Sequence, residues 1–151
     1  MRLIALVAAT ILSAHGVRLT VPAGWQQVHP ASPGPVTDPR TLLVAGTRGA
    51  RPRPSRCLVG SYRVPPDGAV VVVVGWTSLR DAGGLQRPGR WPLKALVFRR
   101  PDLECFPGRA AGVDLMLRGR EFQVSVMVGD HASAHRMAEA LAVARSFALV
   151  P

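Results

Sequence analysis

Five consecutive valines, Val70 to Val74, constrain the fold of this chain more than any other feature. An unbroken β-branched run of this length is too short for a buried helix, and with no polar alternation it has no solvent face. It reads as a central strand over Ala69 to Trp76, buried on both faces. Pro65-Pro66-Asp67-Gly68 supplies the turn that delivers the chain into it. Both faces of the sheet around these valines must therefore be covered by other parts of the chain.

The rest of the sequence offers partners for that strand. Gly112 to Leu117 and Glu121 to Val128 read as a hairpin about Arg118-Gly119-Arg120, with Phe122, Val124, Val126 and Val128 alternating against Gln123, Ser125 and Met127. Gly16 to Val21 alternates as a half-buried strand, and Pro22-Ala23-Gly24 then turns the chain and presents Trp25. Thr41 to Gly46, Cys57 to Val64, Leu93 to Arg99 and Phe147 to Val150 are further short strand candidates. Proline and glycine mark loops at His29 to Arg40, Thr47 to Arg56, Arg80 to Pro92 and Pro101 to Gly108. One helix is expected near the C-terminus. Asp130 is its N-cap, Ala134, Met137, Ala138, Leu141 and Ala144 form its apolar stripe, and Arg136 and Glu139 sit on its polar side.

Strands followed by a helix give an α+β class: a mostly antiparallel sheet with the C-terminal helix packed on one face. The chain has 151 residues, 48% of them hydrophobic, which suits one domain with a full core. Aromatic residues make up only 5%, so valine, leucine and alanine must fill that core. Trp25 and Trp76 each follow a glycine at a strand edge and are expected to cover the ends of a sheet.

The N-terminus reads as an export signal. Met1-Arg2 gives a positive start, Leu3 to Ala14 is an uncharged apolar run, and Ser13, Ala14 and Gly16 are small enough for cleavage after Ala14 or Gly16. That run is 12 residues long, against the roughly 20 that a membrane-spanning helix needs. The expected organisation is a signal peptide over 1–16 and a single α+β domain over 17–151, secreted or held in the cell envelope. A buried first strand or helix of a cytoplasmic protein is the alternative use of the same residues.

The only two cysteines, Cys57 and Cys105, fit an exported chain closed by one disulfide. The alternative is a thiol nucleophile; the arginines of Arg51-Pro52-Arg53-Pro54-Ser55-Arg56 would lower the pKa of Cys57, although neither cysteine lies in a catalytic motif.

The net charge is +10, carried by 18 arginines and a single lysine, Lys94. With so much Ala, Gly, Pro and Val, this arginine bias fits a GC-rich coding sequence and solvated side chains. The functional alternative is an anionic partner, for which Arg48, Arg51, Arg53 and Arg56 form the densest run and Arg87, Arg90, Arg99 and Arg100 the second. Outside the cytoplasm that partner would be an anionic envelope polymer or lipid surface. Nucleic acid is disfavoured, because Trp91 is the one aromatic within a basic stretch and no RNA-binding motif occurs.

Catalytic signatures are weak. The best metal hint is Asp130, His131, His135 and Glu139: His131 and His135 lie one turn apart if both are helical, with Glu139 a turn further. Ala132 stands where a zinc hydrolase would carry its glutamate. G-x-S-x-G, G-x-G-x-x-G and the P-loop pattern are all absent, so no cofactor is expected.

Three patches together resemble small exported actinobacterial proteins with a Mog1/PsbP-like α/β/α sandwich. They are Val21-Pro22-Ala23-Gly24-Trp25, Gly119-Arg120-Glu121-Phe122-Gln123-Val124-Ser125-Val126 leading to Gly129, and Ala142 to Val150 with Arg145-Ser146-Phe147. The resemblance implies a non-enzymatic accessory or binding role outside the cytoplasm, and it transfers no catalytic residue. The expected function is an exported binding or accessory domain; a metal- or thiol-dependent enzyme and an arginine-rich binder of polyanions or anionic lipid are the alternatives.

Overall fold

The computed structural model describes residues 8–31, 38–57, 60–77 and 105–151. The valine run forms β7 (Ala69–Gly75), every residue of it buried. It sits at the centre of a five-stranded antiparallel sheet in the order β3-β4-β7-β9-β8. Its companions are β3 (Trp25–Gln27), β4 (Arg40–Thr47), β8 (Ala110–Leu117) and β9 (Arg120–Val128).

The two-residue period of a strand divides the valines between two cores. Val71 and Val73 point into one cluster with Leu43, Ala45, Phe122, Val124 and Val126. Val70, Val72 and Val74 point into the other with Val28, Val44, Tyr62 and Met127. Burying a valine side chain contributes about 1.5–3 kcal/mol, so this one strand anchors both layers.

The first face carries the helix α1 (Ala134–Arg145) as expected, and beside it a second small sheet. That sheet has the order β1-β2-β10, with β1 (Thr10–Ala14), β2 (Val17–Val21) and β10 (Ala148–Leu149). Val17, Leu19 and Val21 of β2 are fully buried there. Phe147 meets Phe122 with ring centroids 5.6 Å apart and locks the end of the helix to β9. The Ser146 hydroxyl accepts the Thr20 N–H at 2.8 Å, tying the same end to β2.

The helix starts later than the sequence suggests. Its N-cap is Ser133, whose hydroxyl accepts the Arg136 N–H at 3.1 Å, and not Asp130. The Ser133 N–H in turn donates to the Asp67 carboxylate at 3.1 Å, a tertiary contact that fixes the start. The buried stripe is Ala140, Val143 and Ala144, while Ala134 and Ala138 are exposed. Alanine is too small to choose a face by itself; Phe147 and the partly buried Met137 and Leu141 do so.

Two further expectations change. The β8–β9 turn is the two-residue Arg118-Gly119, both at positive φ (50° and 74°), and Arg120 already pairs with Leu117. This is the backbone that matches the strand twist in a tight hairpin. The stretch Thr47 to Arg56, read as a loop, contains β5 (Arg51–Arg53), antiparallel to β6 (Ser61–Arg63). Pro52 is tolerated because β5 is the edge of a two-stranded ribbon and needs no ladder N–H there. Among the described residues of Cys57 to Val64, Ser61–Arg63 form the strand.

Thr10–Ala14, within the segment read as the end of a leader, forms β1 and pairs with β2. Its side chains are largely in solvent: Ile11 is 60% exposed, and only Leu12 and Ala14 touch the core. A chain cut after Ala14 or Gly16 loses β1 and keeps Val17, Leu19 and Val21. Leu93 to Arg99, Trp91 and the arginines Arg87, Arg90, Arg99 and Arg100 lie outside the described residues. Among the described residues no helix is long and apolar enough to cross a membrane.

Candidate functional site: a braced arginine hairpin and its cleft

The β5–β6 hairpin reaches the second face of the main sheet through Tyr62, which shares a cluster there with Val28, Ala31 and Ala50. Tyr62 fastens it: the side chain is 2% exposed, and its hydroxyl accepts the Ala31 N–H at 2.9 Å. Burial pushes the phenol pKa up from its ordinary value, the Ala31 bond opposing this in part, so the ring stays neutral under the hairpin.

Strand alternation then dictates where the arginines go. Arg51 pairs with Arg63 and Arg53 with Ser61, so with Tyr62 turned to the core these four share the outer side. Arg51, Arg53 and Arg63 are exposed. Like charges directly opposite one another on a ribbon destabilise it. Among the described residues, no carboxylate pairs with Arg48, Arg51, Arg53, Arg56 or Arg63.

A covalent brace holds this ribbon in place. Cys57, in the loop between β5 and β6, is 4% exposed and disulfide-bonded to Cys105, with Cα atoms 6.3 Å apart. That separation is ordinary for a disulfide. Both sulfurs are bonded, so neither is a thiol in this structure.

Beside the hairpin lies a cleft of about 310 Å³. Its lining comes from three parts of the chain: Arg53, Tyr62, Arg63 and Val64 of the hairpin, Cys105 to Gly108, and Val128 to His131. The last segment is set by backbone bonds to the Pro65–Gly68 turn, with Gly129 N–H to Gly68 O at 2.9 Å and His131 N–H to Pro66 O at 2.8 Å.

The structure separates the metal set read from the sequence. His131 precedes the helix, which begins at Ala134, so the helical spacing to His135 does not apply. The His135 side chain is 88% exposed, and its ring lies 3.6 Å from the Glu139 carboxylate. Glu139 is otherwise engaged: it accepts the indole N–H of Trp25 at 2.6 Å and pairs with Arg136. Trp25 is thus a buried residue that ties β3 to the helix. No group of three or more metal-ligating side chains stands together among the described residues.

Of the four arginines read as a polyanion run, Arg51 and Arg53 share a strand face, while Arg48 and Arg56 are exposed in the flanking turn and loop. Sequence reading missed Arg63 as their partner and missed the place of Asp130 and His131 in the cleft. The signal for the first was present, since Arg51-Pro52-Arg53 and Ser61-Tyr62-Arg63 both alternate with period two. No known protein family, curated protein or solved structure matches the chain.

Proposed function

We propose that this chain is an exported, non-enzymatic binding or accessory domain that engages an anionic envelope polymer through the β5–β6 hairpin. The observation that carries the reading is the outward face bearing Arg51, Arg53 and Arg63, paired with no carboxylate among the described residues and held by the Cys57–Cys105 brace. A fold gains no stability from facing like charges, so their use lies with a partner. The apolar run Leu3 to Ala14 and the disulfide support export, because such bridges persist in oxidising compartments. The resemblance to Mog1/PsbP-like exported proteins points to the same accessory role.

Heparin serves as a test polymer, with phosphatidylglycerol vesicles as the comparison for a lipid surface. Binding of the full chain to heparin should weaken linearly in log affinity against log salt, and Arg51→Gln/Arg53→Gln/Arg63→Gln should lower that slope by about 2–3. An unchanged slope in the triple variant, or salt-independent binding, would overturn the assignment. Tighter binding to the vesicles than to heparin would overturn the polymer as partner.

A further inference from the structure

Residues of both charge signs line the same cleft: Arg53 and Arg63 of the hairpin, and Asp130 of the turn before the helix. Among the described residues, Asp130 makes no ion pair with either arginine. Here the backbones are fixed independently: Tyr62 and the disulfide hold the hairpin, and the bonds of Gly129 and His131 to Gly68 and Pro66 hold the turn.

We propose that this cleft is a binding site for a small zwitterionic phosphate monoester. Its phosphate lies against Arg53 and Arg63, and its ammonium group reaches Asp130. Guanidinium groups match phosphate oxygens with paired, charge-assisted hydrogen bonds. A carboxylate at the other end selects a ligand with a cationic donor and disfavours a bare dianion. Val64 and Phe106 supply an apolar stretch for the short carbon bridge between the two ends. A volume of about 310 Å³ sits at the lower end of ligand pockets, which sets the size. The backbones of the walls are held before binding, so the ordering cost left for the ligand to meet falls on the side chains of Arg53, Arg63 and Asp130.

This site uses two of the hairpin arginines, so it extends the binding reading, but Asp130 separates the two. The test is calorimetric titration of the full, disulfide-bonded chain with O-phosphoethanolamine, inorganic phosphate and ethanolamine. O-phosphoethanolamine should bind about tenfold tighter than inorganic phosphate, one charge-assisted contact being worth about that much. Asp130→Asn should bring the two ligands to within about twofold of each other and leave heparin retention intact. Arg63→Gln should weaken both phosphate ligands about tenfold, with Arg53→Gln as a second variant, each checked for native circular dichroism. Ethanolamine alone should give no measurable heat. Equal affinity for phosphate and O-phosphoethanolamine, an Asp130→Asn chain that keeps the preference, or no binding of either phosphate at millimolar concentration would overturn the proposal. Loss of heparin binding with this preference retained would instead count only against the polymer.

Discussion

A chain carrying Cys57→Ser and Cys105→Ser should be about 4 kcal/mol less stable to denaturant than the oxidised wild type, from the entropy of closing its loop. The bridge spans 48 residues of sequence. Without it the unfolded chain gains that freedom, and the folded chain loses the tie between the hairpin loop and the segment at Cys105. In a domain of this size a loss of about 4 kcal/mol lowers Tm by about 10 °C. The damage should be uneven: the second core loses the restraint on Tyr62, while β2, α1 and the first core keep their contacts. Hydrogen exchange on the variant should therefore speed up most around Tyr62, Val44 and Met127. A loss below about 1 kcal/mol would show that the hairpin is held by Tyr62 and apolar packing alone.

Gly129→Ala should cost about 3 kcal/mol or more, at the upper end for a substitution that overfills a packed site. A Cβ there runs into the backbone carbonyls of Pro65 and Pro66, which cannot swing aside as a flexible side chain would. The Gly129 N–H also donates to Gly68 O at 2.9 Å, so relieving the clash breaks a bond. The end of β9, the Pro65–Gly68 turn and the helix start move together, because Asp67 holds the Ser133 N–H. The variant should lose O-phosphoethanolamine binding along with stability. Full stability by thermal and chemical unfolding would contradict the packing described for this junction.

Parts of this fold are legible in the sequence because they are local. Val70 to Val74 needs no partner to declare itself buried, and the β8–β9 hairpin is announced by alternation around a glycine turn. The cysteines form the only pair available. Other parts depend on contacts far away in the chain. Asp130 and Ser133 are both good caps, and the choice falls to Ser133 through Asp67, 66 residues distant. Proline made Arg51–Arg53 read as loop, although an edge strand accepts it. The cleft joins three segments that no local pattern connects. An uncharged apolar run suits both an export signal and a strand, so Thr10–Ala14 serves either use.

The proposed function requires that the disulfide bracing the hairpin be made after export. Intact mass of the chain recovered from its host, unreduced and treated with a thiol-alkylating reagent, tests this most directly. The expected result is an extracytoplasmic chain that begins at or just before Val17, carries no alkyl group and gains two after reduction. Full-length chain in the cytosol with Cys57 and Cys105 both alkylated without reduction would contradict it.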